Sequence, residues 1–439
     1  MNLPMRMRLD NASNIYPACL SKKYAALFRL SVTLNEYVNS GVLQSALEAT
    51  VARIPSFGYT LKNGAFWWYL RKIGTAPKIS ELSPLERFDF SKNFNYMFRV
   101  SPDCNRIVLD VFHVLGDGNA ALTFLLTLTG EYLRIRHGLD ITYDSHVLDV
   151  KQRPRISEIE DSFTTFAGKK GSLEKNDPAY HIQGTKEPVN VLHDIKVSIP
   201  MNEIKAVAKE RGCTVTDILT ASIVYALQKM HIEDPRPRKA NVLKVNVPVD
   251  LRRVFGGRTL RNYSSYVNLG VDVTNGYRTF DEILKEVSLQ KNLYTLPSNL
   301  EPKIAANVGL ERNVGVRCIP RFIKKPVIDI INKLHGDRFC SQTLSNIGNV
   351  KLPAEMQPYV REMDFILGRQ RGNAGAAAAI GYGDTLNVNF SRGIVEDDFE
   401  NYFREQLLAL GIRSDDKFIE VASACTPTSF RCEASPVWK

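Results

Sequence analysis

A strand, a tight turn and a long helix follow one another in a single stretch of this chain, with a histidine at the junction. The segment RIVLDVFH (106–113) alternates, which puts His113 on the same strand face as three apolar residues. Asp117 and Gly118 then predict a turn, and the Ala- and Leu-rich segment 119–136 predicts a helix that ends in basic residues and a glycine. The order predicts a helix packed back on its strand, with His113 at the strand end.

Mixed strand and helix patterns occur on both sides of a polar stretch. The segment 151–190 is rich in Gly, Pro and Lys, which is typical of a crossover or linker. We therefore predict an N-terminal domain over 1–150, a C-terminal domain over 191–413 and a loosely held tail over 414–439. The fold class that these patterns favour is α/β, with mixed or antiparallel sheets.

The second half has its own strand and helix signals. MNEIKAVAKERG and TVTDILTASIVYALQKM predict helices, the second capped by Thr214 or Thr216, and a hairpin is predicted about Gly383 and Asp384. NVNFSRGIVEDDFENYF has a strand and helix in a place comparable to the histidine segment, but it contains no histidine. We therefore expect one active site per chain.

Composition and charge narrow the function classes. The hydrophobic fraction is 44% and the charged fraction 24%, as in ordinary globular proteins. The net charge of +10 permits binding to a membrane surface or an anionic ligand, but no nucleic-acid motif accompanies the diffuse basic clusters. No transmembrane segment or leader pattern is apparent, so we expect a cytoplasmic protein. Because no nucleic-acid motif is found, we expect no nucleic-acid partner. The seven cysteines have no metal-type spacing, and no metal is expected.

The motif HVLGDG has two interpretations when it is taken alone. In the structural one, Asp117 caps the helix, Gly118 makes the turn and His113 is a half-buried strand end. In the catalytic one, the imidazole projects into a cavity and removes a proton from a nucleophile, since its ordinary pKa is near 6.5. The residues alone leave both open.

Four segments together resemble the chloramphenicol acetyltransferase-like and condensation-domain acyltransferases. HVLGDG matches their HxxxDG motif, and VNVPVDLR (245–252) is similar to their P-x-D-x-R strand. YVNL and LSNIG resemble two further segments, and the opening DNASNIYP is most similar to bacterial alcohol acetyltransferase-like members. The resemblance implies two such α/β sandwich domains in a pseudo-dimer with a central tunnel. Phe112 stands where condensation domains usually have another histidine, which favours simple acyl transfer over peptide-bond condensation.

The resemblance also implies roles for individual residues. His113 would be the general base, and Asp117 would point away from it and pair with an arginine. Arg252 is the first candidate for that partner and Arg253 the second, although Arg252 also fits a plain surface arginine. Gly118 would permit close packing beneath the catalytic ring.

Further candidates come from the second half of the chain. Ser345 and Asn346 are candidates for the oxyanion site or the tunnel wall, and they also fit as turn residues. Basic clusters are expected to bind the phosphates of a CoA at the tunnel mouth, or else to form a remote solvated face. The cofactor-binding candidates are Lys324, Lys325, Arg369 and Arg371, with Arg321 beside them.

The predicted function is transfer of an acyl group, acetyl first among the candidates, from a CoA thioester to an alcohol or amine. Acyl-CoA would be the co-substrate and a small-molecule alcohol or amine the acceptor. An acyl-carrier protein is the rival donor, because it presents the same phosphopantetheine arm. A binding module that kept the fold without catalysis is the alternative from another class, and the intact His113, Asp117 and Gly118 argue against it.

Overall fold

The computed structural model describes residues 4–421, apart from 22–23, 172–176, 190, 238 and 336. The first seven strands are β1 (Arg6–Arg8), β2 (Leu27–Leu34), β3 (Tyr59–Asn63), β4 (Trp68–Lys72), β5 (Phe98–Asp103), β6 (Arg106–Phe112) and β7 (Leu192–Pro200). The others are β8 (Val242–Asp250), β9 (Ser264–Asp272), β10 (Gln342–Val350), β11 (Val360–Leu367), β12 (Gly375–Tyr382), β13 (Thr385–Arg392) and β14 (Asp415–Val421).

The helices of the first half are α1 (Ile15–Cys19), α2 (Ser40–Arg53) and α3 (Gly118–His137). Those of the second half are α4 (Met201–Glu210), α5 (Val215–Glu233), α6 (Leu251–Phe255), α7 (Phe280–Tyr294), α8 (Pro297–Arg312), α9 (Val314–Cys318), α10 (Arg321–His335) and α11 (Asp398–Ala409).

A four-stranded antiparallel sheet, in the order β11-β2-β6-β5, supports the first half of the molecule. One face of this sheet is apolar and packs on α2 and α3, with Leu30, Leu109 and Phe124 fully buried between them. The strand β11 lies outside the predicted N-terminal domain in sequence, yet it pairs with β2 along its whole length. The two halves are therefore joined by strand pairing as well as by the linker.

A seven-stranded mixed sheet, in the order β14-β7-β13-β12-β10-β8-β9, supports the second half. It has its own apolar core, in which Val197, Val245 and Phe390 contact the buried faces of the second-half helices. The predicted mixed α/β class is confirmed in this two-core arrangement. The central tunnel remains a prediction.

Several local predictions are confirmed. The helix after the Asp-Gly turn begins at Gly118 and ends at Gly138, whose φ of 68° is the left-handed conformation that stops a helix. Thr214 caps α5 through the backbone N–H of Asp217, and β12 and β13 form the predicted hairpin about Gly383.

Other predictions need correction. The pattern YMFRVSPDCNRIVLDVFH predicts a hairpin that turns around Ser101, Pro102 and Asp103, but the turn lies at Cys104, because β5 continues through Asp103 and Cys104 takes a positive φ of 52°. The tail is also not loose at its start, since 415–421 form β14, which pairs antiparallel with β7. The rest of the tail, 422–439, lies outside the described residues. Helices α7 to α10 were not predicted at all.

Candidate active site

His113 lies immediately after the last residue of β6, where the strand meets the turn. Its backbone N–H donates to the carbonyl of Ala26 at 2.9 Å, which keeps the backbone in line with β2. The imidazole is half-buried between two aromatic rings. Tyr16 stacks on it at a centroid distance of 4.4 Å, and Phe28 meets it edge-on at 5.2 Å. Packing on two sides therefore holds the ring in one orientation.

Asn262 determines which nitrogen of His113 carries the proton. The side-chain Nδ2 of Asn262 donates to the carbonyl of His113 at 2.9 Å and to Oγ of Ser13 at 2.8 Å. A carbonyl can only accept, so this pair of contacts assigns the amide nitrogen and leaves Oδ1 as an acceptor. That oxygen lies 3.1 Å from Nδ1 of His113. Nδ1 is therefore the protonated nitrogen, and Nε2 keeps the lone pair that a general base needs.

A series of buried side chains, linked by hydrogen bonds, continues from Asn262 to Ser13 and Asp10. The hydroxyl of Ser13 lies 2.5 Å from Oδ1 of Asp10, and the other carboxylate oxygen of Asp10 lies 3.4 Å from Arg261. Asp10 and Ser13 are both fully buried. The carboxylate thus orients the hydroxyl, the hydroxyl orients the amide, and the amide orients the imidazole.

Burial lowers the pKa of His113 below its ordinary value of 6.5. Desolvation disfavours the charged imidazolium, and it outweighs the opposite influence of Asp117 and of the bond to Asn262. The ring is therefore neutral at neutral pH, which is the form that accepts a proton.

Asp117 makes no contact with the imidazole, because both of its oxygens are used elsewhere. Oδ1 accepts from the backbone N–H of Ala120 at 3.0 Å and so caps α3. Oδ2 accepts from Arg252 at 2.9 Å and from the backbone N–H of Tyr263 at 2.8 Å. Asp117 therefore ties the start of α3 to a segment from the other half of the chain.

Arg252 is the ion-pair partner of Asp117 and not the surface arginine of the alternative interpretation. Its guanidinium also donates to the carbonyls of Thr259 and Arg261, at 2.9 and 2.6 Å. Burial works against the charge, but the carboxylates of Asp117 and Asp250 more than offset it and raise the pKa of Arg252. Arg253, the second candidate, is exposed.

The ion pair thus holds the segment 259–263 in place, and this positions Asn262 beside His113. Three residues of this site, Asn262, Ser13 and Tyr16, are not indicated by the sequence motifs. Ser13 and Tyr16 lie inside DNASNIYP, which carries a resemblance but no residue role. Asn262 stands between Arg261 and the strand that begins at Ser264, and a polar residue in such a place is too common to indicate a role.

Gly118 lies at the start of α3, and its packing beneath the imidazole stays a prediction. A Cβ added there would meet side-chain atoms of Ile347 at 3.6 Å and of Phe365 at 3.9 Å, which are ordinary contact distances. The glycine therefore marks where α3 faces β10 and β11. A small side chain at position 118 would therefore fit without a close contact.

Ser345 and Asn346 lie on β10, next to a bulge between Asn346 and Gly348. The amide of Asn346 donates to Thr216 on α5 at 3.0 Å and accepts from the backbone N–H of Gly348 at 2.8 Å. Asn346 therefore faces the second core. Ser345 pairs with Ala378 on β12, and Ala378 belongs to the first core, so Ser345 lies on the face of β10 that is turned toward that core.

Two of the cofactor-binding candidates are not available for a phosphate. Lys324 is buried, and its Nζ donates to the carbonyl of Phe66 at 3.1 Å and lies 3.4 Å from the ring centroid of Trp67. The guanidinium of Arg369 contacts four backbone carbonyls, including that of Pro188 at 2.7 Å. The cationic groups of both residues hold other parts of the chain in place. Neither residue therefore fits the prediction of a phosphate contact at the tunnel mouth, nor the alternative of a solvated face. Lys325 is exposed and Arg371 half-exposed.

A cavity of about 370 Å³ lies beside the first residues of β2. Leu20, Leu27, Phe88 and Phe90 are among its lining residues, with Arg87 and Asp89 at its edge. It lies on the face of β2 opposite to Phe28, and so opposite to the face that contacts His113. The cavity therefore combines apolar and charged side chains, and it lies on the other side of β2 from the ring that contacts His113.

Neither a metal site nor a membrane-spanning helix is found in the described residues. They contain no group of His, Cys, Asp and Glu side chains arranged to hold a metal ion. In the same part of the chain, no helix has both the length and the apolar character needed to cross a bilayer.

No protein-family model and no curated protein matches the chain. Solved structures do. Polyketide synthase associated protein 5 from Mycobacterium tuberculosis is similar with a TM-score of 0.64 and 12% identity, over 93% of this chain and 99% of that one. The trichothecene 15-O-acetyltransferase TRI3 from Fusarium sporotrichioides is similar with a TM-score of 0.58 and 11% identity, over 92% and 95%. The first condensation domain of the CDA synthetase gives 0.56 and 14%, over 92% and 96%.

The chain has the condensation-domain and acetyltransferase fold. Coverage of more than nine-tenths of each chain confirms the predicted chloramphenicol acetyltransferase-like fold class. Identities this low show the fold alone. The particular likeness to alcohol acetyltransferases stays a prediction.

Proposed function

We propose that this protein transfers an acyl group from a thioester to an alcohol or amine, with His113 as the general base. The observation that carries the proposal is the hydrogen bond from Nδ1 of His113 to Asn262, which leaves Nε2 unprotonated. An alcohol is too weak an acid to lose its proton unaided at neutral pH, and a positioned imidazole contributes about 10²–10⁴ in rate. A fold shared with an acetyltransferase and with condensation domains supports the same chemistry.

The proton and bond changes balance within this site. Nε2 removes the proton of the acceptor as its oxygen or nitrogen attacks the thioester carbonyl, and the tetrahedral intermediate carries the negative charge. The C–S bond then breaks, and Nε2 returns the proton to the thiolate. Free thiol and acylated acceptor are the products, and His113 is neutral again.

The developing oxyanion needs a donor, and the two candidates differ in availability. The side-chain amide of Asn346 is already hydrogen-bonded to Thr216 and to the backbone N–H of Gly348. Ser345 lies on the strand face turned toward the first core. Of the pair, we favour Ser345 for the oxyanion.

Acyl-CoA is the donor that we propose, and an acyl-carrier protein is the rival, because both present a phosphopantetheine thioester. Lys324 and Arg369 have no part in this proposal, since backbone carbonyls hold their cationic groups. Lys325 and Arg371 remain the candidates for phosphate contacts.

The test is release of free thiol from acetyl-CoA in the presence of a panel of alcohols and amines. The parent protein should release thiol only when a suitable acceptor is present, and the acylated acceptor should form in equal amount. The His113→Ala variant should not. No release from acyl-CoA, combined with release from an acylated carrier protein, would replace the donor. No acceptor-dependent release from either would favour a binding module.

A further inference from the structure

Helix α10 presents an apolar face to solvent. Phe322 is 75% exposed, and its helical neighbours are also exposed over nearly half of their surface. The outer face consists of Phe322, Ile323, Pro326 and Val327. Globular proteins usually turn such a stripe inward, so a surface of this kind marks an interaction site.

The inner face of α10 is firmly held by polar contacts and by Ile328, which packs against the first core. The backbone N–H of Arg321 donates to the carbonyl of Ala65 at 2.9 Å, and Lys324 donates to Phe66 and lies over Trp67. These contacts attach α10 to the hairpin of β3 and β4, so the helix cannot rotate its apolar face into the core. Phe66 at the hairpin turn is itself about half exposed.

The segment that leads into α10 and forms its first two turns carries charge of one sign. The segment 312–328 contains five Lys and Arg residues and no carboxylate, between Glu311 and Asp329. Arg312, Arg317 and Lys325 are exposed. Two copies of such a surface would repel each other, which disfavours a dimer through this face. Exposed apolar side chains with flanking cations are instead typical of elements that bind an anionic lipid surface.

We propose that Phe66, Phe322, Ile323, Lys325 and Val327, here called the α10 surface, bind the headgroup region of an anionic bilayer. The apolar side chains would enter the interface, and Arg312, Arg317 and Lys325 would face the lipid phosphates. The chain would lie on the membrane and would not span it.

The position of the α10 surface gives this binding a consequence for the substrate. Helix α10 packs against α1, and α1 carries Tyr16, whose ring stacks on His113. The candidate base is therefore one short helix away from the proposed membrane contact. Resting on the proposed function, we infer that the acceptor is an apolar alcohol or amine that partitions into the bilayer.

Binding is tested by flotation of the full chain with vesicles of phosphatidylcholine alone and with about one-third phosphatidylserine, without any acyl donor. The anionic vesicles should carry the protein, and about 0.5 M salt should reduce the bound fraction severalfold, because screening shortens the range of the charges. Absence from both vesicle types at low salt would overturn the proposal. So would a stable dimer in light scattering that the Phe322→Ser variant abolishes.

Matched variants locate the surface. The double variant Phe322→Ser and Val327→Ser should lose most of the flotation, whereas Leu408→Ser with Val395→Ser, which also removes two exposed apolar side chains, should not. Charge reversal by Arg317→Glu with Lys325→Glu should weaken binding about tenfold or more, since each cation near an anionic surface contributes about 1 kcal/mol. Lys151→Glu with Arg153→Glu makes the same charge change on the exposed linker and should have little effect. Equal losses in the test and control variants would contradict the assignment.

Activity separates this proposal from the function on which it rests. The His113→Ala variant should float as the parent does, because the base takes no part in lipid contact. The Phe322→Ser and Val327→Ser variant should lose turnover of a long-chain alcohol held in vesicles and keep turnover of a short, water-soluble one. Equal turnover of the vesicle-held alcohol by variant and parent would contradict the membrane-derived acceptor. Retention of the parent by an acidic carrier protein, without vesicle binding, would reassign the surface to a protein.

Discussion

The amide oxygen of Asn262 lies 3.1 Å from Nδ1 of His113, although 148 residues separate them in the sequence. The histidine belongs to the first half of the chain and the asparagine to the second. Asp117 and Arg252 join the same two segments by an ion pair at 2.9 Å. The state of the candidate base therefore depends on how the two halves are held together.

Replacing Asn262 by alanine should lower kcat and leave KM for both substrates nearly unchanged. Without the amide oxygen, the proton can move to Nε2, and the ring then has no lone pair toward the substrate. We expect a loss of about tenfold to a hundredfold, as for other groups that orient a catalytic side chain. Steady-state kinetics with saturating substrates measure it.

The Asn389→Ala variant is the matched control for Asn262→Ala. Asn389 is equally buried and donates to the carbonyl of Phe365 at 3.0 Å, away from the imidazole. It should lower the melting temperature without a selective loss of kcat. Equal kinetic losses in the two variants would mean that Asn262 acts only through stability.

The acid limb of the pH profile should report the lowered pKa of His113. Burial favours the neutral ring, so the active form persists as the pH falls below 6.5, where an ordinary imidazole would already be half protonated. The logarithm of kcat/KM against pH should bend downward only below that value. A midpoint clearly above 6.5 would show that another group titrates or that the ring is more solvated than the structure has it.

Removing the carboxylate of Asp117 should destabilise the fold strongly. The Asp117→Ala variant loses a helix cap, worth about 1 kcal/mol, and leaves the buried Arg252 with Asp250 as its remaining carboxylate partner. The further loss should therefore stay below the roughly 3–5 kcal/mol of a fully unpaired buried charge. A second replacement, Arg252→Met, should recover part of the loss in the double variant, because the buried guanidinium is then gone and Asp250 is partly exposed. Denaturant unfolding of the two single variants and the double variant measures the coupling.

The partly exposed pair Arg106 and Asp103 is the control for this cycle. Its removal should cost at most about 1 kcal/mol, since surface ion pairs contribute little. If Asp117→Ala keeps the parent's stability and only loses kcat, the carboxylate acts in the chemistry and the structural assignment is wrong.

The buried carboxyl of Asp194 predicts a pH-dependent cost of folding. Neither oxygen has a hydrogen-bond partner among the described residues, and burial followed by the nearby Asp364 raises its pKa well above 3.8. The unfolded chain ionises this group near 3.8, while the folded chain keeps the proton, so stability is lost as the pH rises from that value toward the folded pKa. Asp194→Asn should therefore raise the free energy of unfolding at neutral pH and have little effect near pH 3.

Asp272 offers the opposite case for comparison. Hydrogen bonds from Thr274 lower the pKa of its carboxyl, so Asp272→Asn should reduce stability at neutral pH. Chemical denaturation at several pH values distinguishes the two signs. A fall in stability for Asp194→Asn at neutral pH would show that the carboxylate is ionised and paired in the folded protein.

The site was predictable from the sequence where local chemistry determines it. The alternation of β6, the capping residue Asp117 and the stop at Gly138 are adjacent in the chain, and each predicts its own local structure. The resemblance supplied Arg252, which is distant in sequence. It did not supply Asn262, since nothing near that residue in sequence shows that it meets an imidazole from the other half.

The basic clusters show why charge alone misleads. RFIKKP contains three cations, but helical geometry turns Lys324 inward onto a carbonyl and an indole ring while Lys325 stays exposed. Arg369 is fixed by loop carbonyls that no sequence pattern indicates. Likewise, the pairing of β11 with β2 crosses the predicted domain boundary, because strand partners depend on the whole fold and not on order along the chain.

The turnover of His113→Ala with an acyl thioester and a verified acceptor tests the central claim most directly. Thiol release under saturating conditions, with circular dichroism to show that the fold is intact, gives kcat for the variant and the parent. The account predicts a loss of about 10²-fold or more, because this imidazole is the group proposed to take the acceptor's proton. A folded variant with near-normal kcat would contradict the role of His113 as the general base.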